Sequence, residues 1–410
     1  MKLDRQSSAP WKIPGEYWPR LAAATAGLDT PFAVLSNEAL AHNVHDLLDR
    51  RTASGGATTI RVASKSLRVR AVIEAVEALE GYHGVLSYTL PEALWLAETI
   101  SDVVVGYPTV DRAGIERLGR DQNLATRVTL MVDSIAQLDF IDSVIAPAKR
   151  TTIRVCLELD AAWNSGLLGH MGPWRSPLHS IEEARAFAQH ITERPGFTLV
   201  GLMAYEGQIA GTVDRPEGRP VFGAVVRWMQ KQSSRELAER RALAVAAIRE
   251  FVDLEFVNGG GTGSIESTSA ESAVTEIAAG SGLFGPHLFD HYGAFTPAPA
   301  AAFALSVVRT PKPDMATVLG GGWVASGPPA PDRLPLAVWP EGLRMVPHEM
   351  AGEVQTPFTN ASGLEVGDRV WFRHTKSGEL AEHLNEIAVV EGDRIVETFL
   401  TYRGEGKVWL

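Results

Sequence analysis

A strand pattern followed by a helix pattern recurs eight times between residues 59 and 283, and this repetition constrains the fold most. Each strand pattern is a short run rich in β-branched residues. The runs are Thr59–Ala63, Gly84–Ser87, Asp102–Gly106, Arg127–Val132, Thr152–Leu159, Leu199–Ala204, Glu255–Asn258 and Glu276–Leu283. Between them, apolar residues repeat every three or four positions, as in Arg70–Leu79, Leu90–Thr99 and Ser234–Val252. This alternation predicts an α/β fold containing a (β/α)8 TIM barrel.

Beyond Leu283 the pattern changes, because Pro and Gly cluster and helical periodicity disappears. Strands are predicted at Pro31–Ser36, ahead of the barrel, and at Ala316–Leu319, Arg369–Arg373, Glu386–Val390 and Arg394–Thr401. The Gly-Asp pairs at 367–368 and 392–393 predict hairpin turns. We therefore expect a barrel domain over residues 30–290 and a C-terminal, mostly antiparallel β domain over 291–410, on which residues 1–29 pack. The apolar stretch 294–308 is interpreted as a domain connection.

Charge and cysteine content narrow the classes of partner. The net charge of −11, without a basic block, disfavours nucleic acid and membrane surfaces as partners. The single cysteine, Cys156, excludes an internal disulfide. The first 20 residues lack the apolar core of a signal peptide, and no stretch is long enough for a bilayer span. We expect a cytoplasmic protein that acts on a small molecule.

Candidate reactive groups stand where predicted barrel strands end, which is where barrel enzymes place their chemistry. Lys65 follows the first strand, and a lysine there is a candidate nucleophile, the alternative being an ordinary exposed lysine. Two glycine-rich turns follow the last two strands, and their N–H and hydroxyl groups are suited to binding phosphate. The candidate phosphate ligands are Gly259, Gly260, Gly261, Thr262, Gly263, Ser264, Gly280 and Ser281.

Further candidates are less specific. Tyr205 and Glu206 follow the sixth strand, where Tyr205 is suited to contact a cofactor and Glu206 is either an acid–base group or merely solvated. Asp160, after the fifth strand, is either functional or holds a loop. His374 and His383 flank two glutamates and a lysine, which form either a metal site or a solvated charge cluster.

A lysine after strand one with a phosphate-binding end at strands seven and eight is the arrangement of pyridoxal phosphate on a barrel. The chain resembles the fold-type III pyridoxal-phosphate enzymes with an alanine-racemase-like N-terminal barrel. Within them it is similar to the D-threonine aldolase and D-serine dehydratase-like group, in particular to actinobacterial proteins described as amino acid deaminase/aldolase. The motifs that carry the resemblance are Thr30–Val34, Arg61–Ser66, Tyr205–Gly211, Gly259–Ser264, Ala351–Pro357 and Tyr402–Gly406.

The resemblance implies that Lys65 forms the Schiff base, that Gly259–Ser264 and Gly280–Ser281 hold the phosphate, and that Tyr205 lies beside the cofactor. It implies a lyase acting on a D-3-hydroxy amino acid by aldol cleavage or elimination, with Glu206 and His374 as candidate acid–base groups. The alternatives are an amino-acid racemase of the alanine racemase type and a non-catalytic pyridoxal-phosphate-binding module. Assembly into a homodimer is compatible with the resemblance but is not predicted from the residues.

Two positions depart from the family pattern. Aldolases and dehydratases of this group bind a divalent metal through an H-x-D or H-x-C motif, whereas this chain has His374-Thr375-Lys376. Either Lys376 replaces the metal, or His374 binds a metal together with Glu379, Glu382 or His383. The arginine often found after strand five is replaced by Asn164 or Ser165.

Overall fold

The computed structural model describes residues 1–328, 330–376 and 378–410. Its strands are β1 Phe32–Ser36, β2 Thr59–Ala63, β3 Tyr82–Ser87, β4 Val103–Val105, β5 Val128–Val132, β6 Ile153–Glu158, β7 Trp163–Ser165, β8 Gly169–Met171, β9 Phe197–Ala204, β10 Phe256–Gly259, β11 Glu276–Ala279, β12 Ala301–Lys312, β13 Met315–Leu319, β14 Leu336–Trp339, β15 Arg344–Met345, β16 Gln355–Thr359, β17 Arg369–Arg373, β18 Glu386–Glu391 and β19 Arg394–Leu400. Its α-helices are α1 Pro14–Ala24, α2 Asn37–Ala53, α3 Arg70–Glu77, α4 Leu90–Leu96, α5 Arg112–Arg120, α6 Gln122–Arg127, α7 Ile135–Val144, α8 Ile181–Glu193, α9 Gly207–Ala210, α10 Pro220–Ile248, α11 Ile265–Ser269 and α12 Ser281–Phe284. None of these helices is long and apolar enough to cross a membrane.

The chain forms two compact units. The barrel unit comprises residues 47–64, 76–280 and 409–410, and the sheet unit comprises residues 1–46, 65–75 and 281–408.

The barrel unit contains a closed parallel barrel with the strand order β2-β3-β4-β5-β6-β9-β10-β11. The predicted TIM barrel is thus confirmed, and each of its strands coincides with a predicted run to within a few residues. Strands such as β4 and β5 are buried at every position, as expected for a parallel sheet covered on both faces. Inside the unit, buried Arg61 is paired with Glu276 at 2.7 Å and with Asp102 at 2.8 Å, which neutralises its charge.

The sheet unit contains a nine-stranded, mostly antiparallel sheet, which agrees with the predicted β domain. Its core includes Tyr17, Trp18 and Leu21 of α1, packed with Phe32 of β1 and Trp371 of β17. Aromatic side chains of this size bury a large apolar area, so α1 contributes substantially to this unit's core.

Three details differ from the sequence predictions. The last barrel strand ends at Ala279 rather than at Leu283, because the chain turns at Gly280 and begins α12. The hairpin at 392–393 forms between β18 and β19, but the pair at 367–368 joins no hairpin, since β17 pairs with β12 and β14. The predicted connection at 294–308 is wrong in its second half, which is the start of strand β12.

Candidate active site

Four neighbouring strands of the barrel carry most of the predicted site. β9, β10, β11 and β2 are adjacent in that order and parallel, so their carboxyl ends meet on one sector of one end of the barrel. Tyr205 directly follows β9, and the two glycine-rich turns follow β10 and β11. Lys65 follows β2 by two residues. The topology therefore brings these predicted strand ends together.

Lys65 lies in a short 3-10 turn, Ser64–Ser66, and is exposed. The serines on either side of it are buried, and Ser64 Oγ donates a hydrogen bond to the carbonyl oxygen of Leu86 at 3.1 Å. The turn is thus anchored while its lysine side chain remains accessible, as a nucleophilic amine has to be.

The glycine-rich turn after β10 is closely packed. Gly260 has a φ of +74°, which favours glycine, and its N–H donates to Glu206 Oε2 at 3.1 Å. The N–H of Gly261 donates to Ser264 Oγ at 3.2 Å, and a Cβ at Gly261 would lie 3.0 Å from the Cβ of Ala210. On the other side of the turn, Arg50 donates to the carbonyl oxygen of Thr262 at 2.8 Å. Side chains thus fix the backbone of this turn at several points.

The turn after β11 is constrained in the same way. A Cβ at Gly280 would lie 2.3 Å from the carbonyl oxygen of Ala63, at the end of the neighbouring strand β2. Ser281 begins α12 directly after it. Glycine at both turns thus permits a close approach of the backbone to neighbouring atoms that a Cβ would prevent, and glycine-rich turns at adjacent strand ends suit the phosphate of a cofactor. On this observation the residues present fit pyridoxal phosphate.

Glu206 is buried, and both of its carboxylate oxygens already accept hydrogen bonds. Its side chain is only 1% exposed, and Oε2 accepts from Arg241 at 3.0 Å as well as from the N–H of Gly260. Oε1 accepts from the hydroxyl groups of Thr268 and Ser264. The interpretation of Glu206 as solvated is therefore wrong. Its contacts join the end of β9 to the turn after β10.

Arg241, on α10, carries the counter-charge for this carboxylate. It is fully buried and also contacts Glu271 Oε2 at 2.6 Å. Burial raises the pKa of Glu271 to about 7, with Arg241 opposing the rise and Glu206 adding to it. A buried carboxylate, Glu206, and a partly buried one, Glu271, thus share one buried guanidinium.

A second cluster at the same end of the barrel surrounds Tyr205. The guanidinium carbon of Arg175 lies 4.7 Å from the centre of the Tyr205 ring and 5.2 Å from that of Tyr107. Its Nη1 lies 3.7 Å from Glu158 Oε1, at the end of β6. Burial raises the pKa of Glu158 to about 7, while Arg175 opposes the rise. Burial also raises the pKa of Tyr205, so the phenol stays protonated near neutral pH.

Arg175 and Tyr107 were not among the residues predicted from the sequence. Tyr107 follows β4, so inspection of every strand end would have found it. Arg175 lies beyond the β7–β8 hairpin, in a segment without periodicity, and no sequence signal placed it near Tyr205.

The loop after β6 is held by its own polar groups. Asp160 accepts from the N–H of Ala162 at 3.0 Å and lies 2.9 Å from His179 Nδ1, which favours the loop-holding role for this carboxylate. Asn164 lies between His170 and His179, at 3.1 and 3.2 Å.

His374 directly follows β17 in the sheet unit and is 1% exposed. Burial, together with Arg373 and His287, lowers its pKa to about 3, so the ring is neutral at physiological pH. Of its predicted co-ligands, Glu379 accepts from the N–H groups of Thr375 and Lys376 at 2.9 and 2.7 Å.

The other predicted co-ligands of His374 have partners of their own. Glu382 pairs with Arg68, and His383 stacks on Trp323 at 4.6 Å. Within residues 1–328, 330–376 and 378–410, no three His, Cys, Asp or Glu residues are grouped to hold a metal ion. The donor groups around His374 in the described parts of the chain therefore do not fit a metal.

Comparison with protein families gives a match over residues 35–287 to the alanine racemase N-terminal domain. The chain is 28% identical over 260 residues to 3-hydroxy-D-aspartate aldolase of Paracoccus denitrificans, which covers 63% of this chain and 60% of that protein. It is 27% identical over 262 residues to D-threonine aldolase of an Arthrobacter species, and the match covers 61% of this chain and 62% of that protein. The chain thus spans about three fifths of the length of these relatives.

Solved structures share the fold. D-threonine aldolase from Filomicrobium marinum superposes with a TM-score of 0.76 at 20% identity, covering 93% of this chain and 96% of that one. D-threo-3-hydroxyaspartate dehydratase from Delftia sp. HT23 superposes with a TM-score of 0.70 at 18% identity, and the match covers 94% of this chain and 100% of that one. The similarity therefore extends over both units of the fold.

Proposed function

The chain belongs to the family defined by the alanine racemase N-terminal domain, among the fold-type III pyridoxal-phosphate enzymes, and from this premise we propose that it is a pyridoxal-phosphate-dependent lyase of D-3-hydroxy amino acids. One observation carries the proposal: four adjacent barrel strands are followed, within two residues, by Lys65, Tyr205 and the two glycine-rich turns. The aldolases and the dehydratase that resemble the chain act on D-3-hydroxy amino acids, which supports this substrate class.

In this proposal Lys65 holds the cofactor through its amine, and Gly259–Ser264 with Gly280–Ser281 bind the phosphate. When bound, the cofactor withdraws electrons from the substrate Cα and weakens the bonds to it. Tyr205 would lie beside the cofactor as a protonated phenol. In aldol cleavage the Lys65 amine would return a proton to Cα after the Cα–Cβ bond breaks, and in elimination it would instead accept the Cα proton. Without this amine, the site loses both its anchor and its proton carrier.

Arg175 binds the substrate carboxylate in this scheme. Its side chain is about one quarter exposed, and its guanidinium is held against two tyrosine rings, with Glu158 on one side at 3.7 Å. A fixed guanidinium can bind a carboxylate through two parallel hydrogen bonds. Glu206, by contrast, serves as a positioning residue for the phosphate turn, because its oxygens are already used by Arg241, Gly260, Ser264 and Thr268.

Borohydride reduction tests the cofactor assignment. The purified protein is reduced, digested and searched for a pyridoxyl-labelled peptide, which we expect to contain Lys65. A label on another lysine, or no label at all, contradicts the proposal.

The reaction is tested with D- and L-amino acids. Glycine and an aldehyde indicate aldol cleavage, whereas ammonia and a keto acid indicate elimination; either result supports the lyase. Accumulation of the opposite enantiomer alone would instead establish a racemase. Absence of any product together with a bound cofactor would establish a non-catalytic binding module.

A further inference from the structure

Arg175 is held at the carboxyl end of the barrel by contacts that do not involve the carboxylate of Glu158. Its guanidinium carbon lies 4.7 Å from the centre of the Tyr205 ring and 5.2 Å from that of Tyr107. The next residue, Ser176, is buried, and its Oγ donates to the backbone carbonyl oxygen of Glu158 at 2.6 Å. The two rings and this backbone anchor therefore hold the arginine whether or not Glu158 is ionised.

The contact between Arg175 and Glu158 is electrostatic rather than a close hydrogen bond. Nη1 of the arginine lies 3.7 Å from Oε1 of the glutamate, whereas an N–H···O hydrogen bond spans about 2.7–3.2 Å. The Glu158 side chain is only 4% exposed, while that of Arg175 is 27% exposed. An anion from solvent therefore has access to Arg175, whereas the neighbouring carboxylate is almost closed off from water.

The surroundings of Glu158 disfavour its negative charge. The charged or titratable groups around it are Cys156 on β6, Asp133 after β5, Asp160 on its own loop, and Arg175. On the side of β9, the residue in register with Glu158 is the uncharged Met203. Burial raises the pKa of Glu158 to about 7, Asp133 and Asp160 add to the rise, and Arg175 opposes it. Of these groups, only Arg175 favours the ionised form of Glu158.

A carboxylate that binds to Arg175 changes this balance. It takes up the positive charge that favours ionised Glu158, and it adds a second negative charge nearby. Both changes raise the pKa of Glu158 further, so near neutral pH the buried carboxylate accepts a proton from solvent when the anion binds. Linkage requires the reverse as well: ionised Glu158 weakens the binding of an anion to Arg175.

We propose that Glu158 is a positioning residue that competes with the substrate carboxylate for Arg175, so that substrate binding is coupled to proton uptake by Glu158. The inference rests on the proposed function and extends it to how the substrate is held. The proton comes from solvent, stays on Glu158 while the carboxylate is bound, and returns to solvent when the product leaves. Substrate affinity therefore falls as the pH rises through the titration of this one buried group.

Kinetics of the holoenzyme test the competition, with whichever D-3-hydroxy amino acid it converts. Glu158→Gln keeps the shape of the side chain and removes its charge. We expect the KM of the parent to exceed that of Glu158→Gln by about tenfold at pH 8.5, a factor that corresponds to one pKa unit. At pH 5.5 the two KM values should agree within twofold, and kcat should agree within twofold at both pH values.

Asp133→Asn is the matched control, because Asp133 lies beside Glu158 and burial raises its pKa as well. Removing this negative charge should keep the pH dependence of KM and move its midpoint to lower pH. Loss of the pH dependence in Asp133→Asn, with its retention in Glu158→Gln, would assign the titration to Asp133 and overturn the proposal. A higher KM in Glu158→Gln at pH 8.5 would also overturn it, since Glu158 would then assist binding.

A binding measurement makes the test independent of turnover. D-3-hydroxybutyrate carries the carboxylate and the hydroxyl group but no amine, so it cannot join the cofactor. Calorimetric titration of the holoenzyme at pH 7.5, in buffers of different ionisation enthalpy, should show uptake of about half a proton by the parent and none by Glu158→Gln. Arg175→Gln should abolish the binding.

The outcomes separate this inference from the proposed function. Equal proton uptake by the parent and Glu158→Gln, or no binding of D-3-hydroxybutyrate to the parent at pH 5.5, overturns the coupling and leaves the lyase standing if substrate is converted. If no D-3-hydroxy amino acid is converted, the proposed function fails, and the D-3-hydroxybutyrate titration alone supports or overturns the competition. The proton count of the parent does not depend on whether a variant folds.

Discussion

Replacing Glu206 by glutamine tests how the phosphate turn is held. The two carboxylate oxygens accept four hydrogen bonds, from Arg241, Gly260, Ser264 and Thr268. A glutamine amide can keep its oxygen towards Arg241 and Gly260 and donate its N–H groups to the two hydroxyls, which can rotate. The substitution therefore preserves the shape of the site and removes mainly the negative charge.

The cost follows from the burial of the ion pair. Removing one partner of a buried pair typically costs about 3–5 kcal/mol. Here Glu271 remains 2.6 Å from Arg241, and loss of the Glu206 charge removes one cause of the raised pKa of Glu271, so this carboxylate stays ionised more readily. We expect the lower end of the range, about 3 kcal/mol of unfolding free energy, which leaves most domains folded.

Urea denaturation followed by tryptophan fluorescence measures this loss, since the chain has ten tryptophans. Glu250→Gln is the control, because Glu250 pairs with Arg185 at the surface, where both side chains are about half exposed; it should cost less than about 0.5 kcal/mol. The cofactor should also dissociate more readily from Glu206→Gln. A loss below about 1 kcal/mol, or a stable variant whose kcat alone collapses with one limb of its pH profile, would refute the positioning role.

Three further predictions concern single groups. Lys65→Ala should abolish cofactor absorbance and turnover while leaving the urea midpoint within error, since the side chain is exposed; retained absorbance would contradict its role. Gly280→Ala should cost about 1–3 kcal/mol and weaken cofactor binding, because the new Cβ would meet the Ala63 carbonyl at 2.3 Å, whereas Gly27→Ala has open space and should be neutral. Burial raises the pKa of Glu158 from 4.5 to about 7, so its contribution to stability is present below pH 4.5 and is lost as the pH rises through 7. Between pH 5.5 and 8.5 the parent should therefore lose about 2 kcal/mol more unfolding free energy than Glu158→Gln, and parallel pH profiles would contradict this.

The barrel was predictable because its strands are buried on both faces. Continuous β-branched runs such as Val128–Val132 give a signal that does not depend on partners distant in sequence. Helix α10 shows the limit, since its predicted start at Ser234 is 14 residues later than its actual start at Pro220. The part of α10 that was not predicted has exposed apolar residues, among them Val221, Phe222 and Val225. Its apolar residues therefore do not follow the three- and four-residue spacing of a helix that packs with one face on a core.

The β domain was predictable only where pairing is local. The turn at 392–393 joins two neighbouring strands, and its sequence alone specifies the hairpin. The pair at 367–368 has the same composition, but the strand that follows it pairs with β12, more than 60 residues earlier in the chain. Turn chemistry does not distinguish these outcomes, because the partner of a strand is decided by packing across the whole sheet.

The candidate site was predictable where strand ends alone define it, which is the case for Lys65 and the two glycine-rich turns. The hydrogen-bond partners of Glu206 were not, because they come from two other elements: Arg241 lies 35 residues later on α10, and Thr268 lies 62 residues later on α11. Seen alone, a carboxylate at a strand end is equally consistent with acid–base chemistry and with structure. What decides is the number of donors that converge on it, and the two oxygens of Glu206 already accept four hydrogen bonds, which hold the carboxylate in place.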